Sequence, residues 1–181
     1  MEATERYQSN NGFYDITFAH ETNESEWTVK KIEVSRGKDG GDAPVDVAIP
    51  DSFDEKPITD INGYITTSPW VSENPAKLGL ITIGRNVRKI SLLELWEEEF
   101  EGLLIPKSVE DVEDLGIDSY NPSPIYFEDE KMYERYAGDE YAISARKYSE
   151  AAPTSGLLDL MVSWHYNDAG LPVSFYDELE S

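Results

Sequence analysis

The sequence predicts a β-rich α/β fold, a short solenoid of three to four stacked units with a β-hairpin before it and helices after it. The main observation is an internal repeat, because the apolar positions of residues 78–106 superimpose on those found 22 residues later. This offset pairs Ile83 with Ile105 and Ile105 with Phe127. Such a period is typical of units that bury their apolar side only by stacking. The length of 181 residues and the 39% hydrophobic content are sufficient for one domain with a core.

Residues 12–34 predict the hairpin. Two stretches alternate apolar and polar side chains, the pattern of a half-buried strand, and a polar loop beginning at His20 joins them. Their apolar members are Phe13, Ile16 and Phe18 in the first stretch, and Trp27, Val29, Ile32 and Val34 in the second. The glycine-rich segment 37–41 then favours a turn or flexible loop.

The following segments repeat one pattern, an apolar strand that ends in a turn. Copies begin at Val45, Leu80, Leu103 and Pro124. From Glu128 the spacing becomes helical, with three predicted stripes: Met132, Tyr133 and Tyr136; then Tyr141, Ala145 and Tyr148; then Leu157, Leu160, Met161 and Trp164. We expect a single domain over 1–181, with a hairpin cap over 1–41, the solenoid over 42–137 and a helical C-terminal cap over 138–181.

Three short motifs carry a family resemblance: Ile49-Pro-Asp-Ser-Phe53, Ile83-Gly-Arg-Asn-Val-Arg-Lys-Ile90 and Ile105-Pro-Lys-Ser-Val-Glu-Asp-Val112. Over residues 45–137, about half of the chain, the sequence resembles the BspA-type leucine-rich repeat. The resemblance implies a curved parallel sheet that contacts other proteins, commonly on the surfaces of bacteria and some protists. It implies no catalytic residues. The segment 92–100, rich in Leu, Trp and Glu, departs from the small residues usual at that place in the family.

The charge balance indicates which partners the protein attracts. The chain holds 37 acidic and 15 basic residues, a formal net charge of −22, and residues 91–140 alone hold 16 acidic and three basic ones. Such a field repels nucleic acid and anionic membranes and attracts basic proteins. We therefore expect a basic protein partner, no direct binding of nucleic acid and no membrane association.

The repeat offset also predicts ion pairs between stacked units, which lie roughly 5 Å apart. The expected pairs are Arg88 with Glu110, Lys89 with Asp111 and Lys107 with Asp129. The acidic run from Glu94 to Glu101 has no basic neighbour, because positions 119–123 are uncharged. This run is either the solvated face of a short helix or an anionic surface for a partner. The predicted partner-binding residues are Glu94, Glu97, Glu98, Glu99, Glu101, Glu113, Asp114, Asp118 and, as an exposed aromatic residue in an inserted loop, Trp70.

The sequence offers little support for catalysis. It has no cysteine, its two histidines, His20 and His165, lack a triad spacing, and no phosphate-binding or calcium-binding loop is present. We therefore expect a non-enzymatic, acidic interaction module without cofactor or metal. One form of it would be a nucleic-acid mimic that inhibits a nucleic-acid-binding enzyme, as phage anti-restriction and anti-CRISPR proteins do. The alternative is a bacterial surface or adhesion module that binds a host protein or glycan.

The expected location is the cytoplasm of the producing cell or of an infected host, because no signal peptide or long apolar run is evident. A secreted or cell-surface location would follow if a signal peptide had been removed.

Overall fold

The computed structural model describes residues 1–9, 11–21, 23–38, 41–67, 76–95, 99–116 and 123–137, together with the backbone of Ala145–Lys147. These residues form two main β-sheets and one short helix. In chain order the elements are β1 (Glu2–Ser9), β2 (Gly12–Ala19), β3 (Trp27–Arg36), β4 (Val45–Ala48), β5 (Ser52–Phe53), β6 (Lys56–Thr66), β7 (Leu78–Thr82), β8 (Lys89–Glu94), β9 (Gly102–Ile105), β10 (Asp111–Val112), β11 (Leu115–Gly116), β12 (Ile125–Phe127), α1 (Glu130–Ala137) and β13 (Ala145–Lys147).

Sheet A has eight strands in the order β1-β2-β3-β6-β8-β10, with β11 also paired to β8 and β5 to β6. Its first three strands are antiparallel, whereas β3, β6, β8 and β10 are parallel. Sheet B has the order β13-β12-β9-β7-β4 and is parallel throughout. From β6 to β12 the chain therefore alternates between the two sheets.

The predicted fold class is wrong. The fold is β-rich, with one mixed and one parallel sheet, rather than an α/β solenoid of leucine-rich-repeat type. Where the acidic run was interpreted as a possible face of a short helix, Glu94 ends strand β8, because Leu93 and Leu95 are buried on either side of the partly exposed Glu94. The hairpin is no separate cap either, since β3 continues into sheet A by parallel pairing with β6.

The described part of the predicted helical stripes and C-terminal cap, from Glu128 onward, contains both a helix and a strand. Helix α1 carries the predicted stripe of Met132, Tyr133 and Tyr136. The second stripe was expected to continue as helix through Ala145, but Ala145–Lys147 is a strand of sheet B. The rest of 138–181 lies outside the described residues.

The predicted hairpin and the predicted 22-residue register are both present. Strands β2 and β3 pair antiparallel, although their register shifts at a bulge after Thr17. Ile90 pairs with Val112 across β8 and β10, and Ile105 pairs with Phe127 across β9 and β12. The repeat thus sets which residues face one another within each sheet.

The two sheets differ in how they are buried. Strand β2 alternates buried and partly exposed residues, whereas every residue of β7 and β9 is buried. In sheet B, Leu103 and Ile125 belong to the core cluster shared with sheet A. On the opposite face, a Cβ on Gly102 would lie 3.2 Å from the Tyr126 ring and 3.3 Å from Leu80, and both of those side chains are buried as well. Parallel sheets are commonly covered on both faces. The accessible sheet surface is therefore the outer face of sheet A.

Tyrosine hydroxyls form hydrogen bonds with backbone groups at two sheet edges. The Tyr14 hydroxyl donates to the Ala48 carbonyl at 2.9 Å and accepts from the Ala48 N–H at 3.2 Å, at the edge of sheet B formed by β4. The Tyr136 hydroxyl donates to the Val112 carbonyl of β10 at an edge of sheet A. These three bonds satisfy strand edges that would otherwise offer unpaired backbone groups for association.

Candidate partner-binding face

The outer face of sheet A carries a row of side chains that runs across the strands. The register places Thr17, Lys31, Tyr64, Glu94 and Gly116 side by side, one from each of β2, β3, β6, β8 and β11. Buried residues flank Tyr64 and Glu94 on both sides in sequence, and Ile32 after Lys31 is buried, so these three side chains point outward. Residues far apart in the chain thus form one continuous surface.

Tyr64 is the most exposed aromatic residue described, with 44% of its surface accessible. It lies in an alternating strand, with Gly63 and Ile65 buried on either side. Large aromatic side chains exposed on a regular surface are common energetic centres of protein interfaces. The sequence analysis did not single out Tyr64, although the alternation from Ile61 to Ile65 was a signal that could have found it.

Glu94 is the only member of the predicted acidic run whose side chain lies on this face among the described residues. Its side chain passes over Gly116, because a Cβ there would lie 2.9 Å from the Glu94 Cγ. No hydrogen bond or ion pair joins the Glu94 carboxylate to another described residue. The carboxylate is therefore without an ion-pair partner among the described residues, and the Cα of Glu94 is paired with that of Tyr64 in the neighbouring strand.

Lys31, on the other side of Tyr64, is compensated. Its Nζ lies 2.6 Å from the Glu33 carboxylate. The hydrogen bond from Lys31 to Glu33 raises the pKa of Lys31, with further contributions from the charges of Glu33, Tyr64 and Glu2. Glu94, on the other neighbouring strand, has no such partner among the described residues.

An exposed acidic turn between β10 and β11 borders this face. Its residues are Glu113 and Asp114, both exposed. Glu113 binds Lys89 at 2.7 Å, and the hydrogen bond between them raises the pKa of Lys89. The Asp114 carboxylate has no such partner in the part of the chain that the structure describes. The turn is held against β8 by the bond from the Leu93 N–H to the Asp114 carbonyl at 3.1 Å.

Of the predicted ion pairs between neighbouring units, the first is present and the second has a different acidic partner. Arg88 lies 3.7 Å from Glu110, so that pair is confirmed. Lys89 is in register with Asp111 but binds Glu113, two residues further on.

The third predicted pair was Lys107 with Asp129. Both residues line one cavity but form no ion pair among the described residues. Register therefore predicts which backbone positions pair, but long charged side chains reach across to other partners.

The predicted acidic face is divided between the sheets. Glu94, Glu113 and Asp114 lie with sheet A, whereas Glu101 immediately precedes β9 of sheet B, where its N–H donates to the Gly79 carbonyl at 3.0 Å. Glu99 is exposed shortly before it. The other predicted residues, Glu97, Glu98, Asp118 and Trp70, lie outside the described residues.

Glu101 instead belongs with a buried carboxyl group that the sequence analysis missed. One oxygen of Asp46 accepts the Leu80 N–H at 2.8 Å, and the other is buried without a hydrogen-bond partner. Burial, with a smaller contribution from the negative charge of Glu101, raises the pKa of Asp46 to about 6, against the hydrogen bond from Leu80, which lowers it. Gly79 permits this arrangement, since a Cβ there would lie 2.2 Å from the Asp46 Oδ1.

Comparison with known proteins finds no matching family model, no matching curated protein and no matching solved structure. The leucine-rich-repeat resemblance therefore stays a prediction. The described residues include no group of three or more His, Asp or Glu side chains placed to hold a metal ion. No helix within them is long and apolar enough to span a membrane.

Proposed function

We propose that this protein is a non-enzymatic interaction module that binds a basic protein partner through the outer face of sheet A. The observation that carries the proposal is the pairing of Tyr64 with Glu94 in neighbouring strands, which places an exposed aromatic residue one strand away from an acidic residue that has no ion-pair partner among the described residues. Asp114 and Glu113 at the bordering turn add negative charge. The net charge of −22 favours the approach of a basic partner over long range.

An arginine side chain of the partner fits this arrangement. A guanidinium group can stack on a tyrosine ring and at the same time donate hydrogen bonds to a carboxylate. Lysine offers a single ammonium group and stacks less well. The expected partner surface is therefore rich in arginine, as it is in proteins that bind nucleic-acid phosphates.

This chemistry supports the inhibitor form of the proposal. A protein that presents carboxylates to arginine residues competes with nucleic acid for the same basic surface, and electrostatic attraction makes that association fast and sensitive to salt. The partner would be a nucleic-acid-binding enzyme whose basic groove is occupied by this acidic face.

The first experiment measures the binding of two fluorescent peptides, one rich in arginine and one rich in lysine, by anisotropy. We expect the arginine peptide to bind more tightly, and both affinities to fall as salt rises from about 0.05 M to about 0.2 M. Tyr64→Ala and Glu94→Gln should each weaken binding of the arginine peptide roughly three- to fivefold, the value of one exposed cation–π contact or ion pair.

The matched control is Glu24→Gln. Glu24 is exposed in the loop between β2 and β3, outside the row of paired positions that contains Tyr64 and Glu94, and the substitution removes the same charge as Glu94→Gln. It should leave affinity nearly unchanged. Equal losses from the two glutamate substitutions would mean that net charge alone attracts the peptide, and would overturn the proposed site.

A second experiment addresses inhibition. The protein is titrated into a complex of labelled duplex DNA with a basic DNA-binding domain, and release of the DNA is followed. Wild type should displace the DNA at lower concentration than the Tyr64→Ala, Glu94→Gln double variant. Displacement by both proteins at the same concentration would contradict the inhibitor form.

A further inference from the structure

A cavity of about 300 Å³ lies between the turn that follows β9 and helix α1. Three basic side chains line it: Lys107, Lys131 and Arg135. These are the only basic residues in the strongly acidic stretch 91–140. The fold thus gathers all the positive side chains of this region around one opening.

The two lysines have no acidic partner within the part of the chain that the structure describes. Neither Lys107 nor Lys131 forms an ion pair with any described residue. Arg135 is held only loosely, with its Nη2 atom 3.9 Å from the Asp111 carboxylate. Unpaired cations that face one cavity are favourable for an anion, because its charge replaces water as their partner.

The two carboxylates at the cavity already have other partners. Glu110 lies 3.7 Å from Arg88. Asp129 accepts the backbone N–H of Lys131 at 2.8 Å. Neither carboxylate forms an ion pair with Lys107 or Lys131 among the described residues, so the two ammonium groups are available to a ligand.

The rest of the lining is apolar. Val109 and Met132 also line the cavity and, at 1% and 7% exposed, form its buried apolar floor. The volume is at the small end of the range for ligand pockets, roughly 300–1,000 Å³. The dimensions suit a small molecule rather than a folded partner.

We propose that this cavity binds a small molecule in which a phosphate or carboxylate group is attached to an apolar body. Lys107, Lys131 and Arg135 hold the anionic group, and Val109 and Met132 contact the apolar part. This site is separate from the Tyr64–Glu94 face and attracts the opposite charge.

The experiment uses phenyl phosphate, benzoate, inorganic phosphate and phenol as probes, each titrated into the full chain by isothermal titration calorimetry. Phenyl phosphate or benzoate should bind saturably, and the stronger of the two identifies the preferred anionic group. Inorganic phosphate should bind more weakly because it lacks the apolar part, and phenol should not bind because it lacks the charge.

Lys107→Gln and Lys131→Gln should each weaken binding of the preferred probe by at least about tenfold, the value of one hydrogen bond to a charged group. Lys38→Gln is the matched control, since Lys38 is exposed outside the cavity and the same charge is lost. The proposal is overturned if neither phenyl phosphate nor benzoate binds saturably, if inorganic phosphate or phenol binds as tightly as the preferred probe, or if Lys38→Gln weakens binding as much as the cavity variants. Circular dichroism verifies that all three variants remain folded.

Discussion

Replacing Tyr14 by phenylalanine removes one hydroxyl group from the edge of sheet B. The ring is 5% exposed and stacks on Tyr7 with the centroids 5.5 Å apart. Phenylalanine keeps that packing. The hydroxyl's two bonds, one to the N–H and one to the carbonyl of Ala48, are lost.

The expected cost follows from those two backbone groups. A buried polar group left without a partner costs about 1–3 kcal/mol. Ala48 is partly rather than fully buried, so water recovers some of that loss, and we expect the free energy of unfolding to fall by about 2 kcal/mol. In a chain of this length that corresponds to a decrease of about 4–8 °C in Tm.

Urea unfolding followed by circular dichroism measures the change directly, and thermal melting gives Tm. Tyr64→Phe is the control, because its hydroxyl is on the exposed face and makes no hydrogen bond among the described residues; its effect should stay within about 0.5 kcal/mol. If Tyr14→Phe were as stable as Tyr64→Phe, the hydroxyl would not satisfy the edge of β4.

Two further variants test the sheets themselves. Because burial raises the pKa of Asp46 to about 6, above its value in the unfolded chain, its contribution to stability is greatest below about pH 4 and is lost as pH rises through about 6. Wild type should therefore lose about 1 kcal/mol more than Asp46→Asn between about pH 5 and about pH 7 in urea unfolding, and equal losses would refute the raised pKa. Gly63→Ala should lower Tm more than Gly41→Ala, since a Cβ at Gly63 would lie 1.9 Å from the Lys30 carbonyl oxygen whereas Gly41, with a φ of +55°, has nothing within 4 Å. Equal Tm values would contradict the close approach of β3 and β6.

The parts of the fold that the sequence predicts are those set by apolar spacing. Ile90 and Val112, or Ile105 and Phe127, occupy equivalent places in the repeat, and burial of one face fixes their register. The apolar spacing does not show which strands belong to sheet A and which belong to sheet B. A short apolar run such as Leu78–Thr82 is compatible with several kinds of buried segment, and the polar strand β1 has almost no apolar pattern at all.

The sequence predicted only part of the candidate site, because strand pairing brings its residues together from distant positions in the chain. Glu94 was found because it belongs to an acidic run, but the run itself divides between sheets A and B. Tyr64 and Gly116 lie 30 and 22 residues away from Glu94 in the sequence and adjoin it only through strand pairing. The buried carboxyl group of Asp46 depends on the glycine at position 79, a tertiary relation that spacing along the chain does not encode.

The central claim is that parallel pairing places Tyr64 and Glu94 side by side on one exposed face. The native chain has no cysteine, so the double variant Tyr64→Cys, Glu94→Cys reports this adjacency without interference. Paired residues of neighbouring strands lie about 5 Å apart, within the reach of a disulfide, whereas Tyr64 and Gly116 lie two strands apart, about 10 Å and beyond it. After mild oxidation, mass spectrometry should show an intramolecular disulfide in the Tyr64→Cys, Glu94→Cys protein and free thiols in a Tyr64→Cys, Gly116→Cys protein. Free thiols in the first, or a disulfide in the second, would contradict the account.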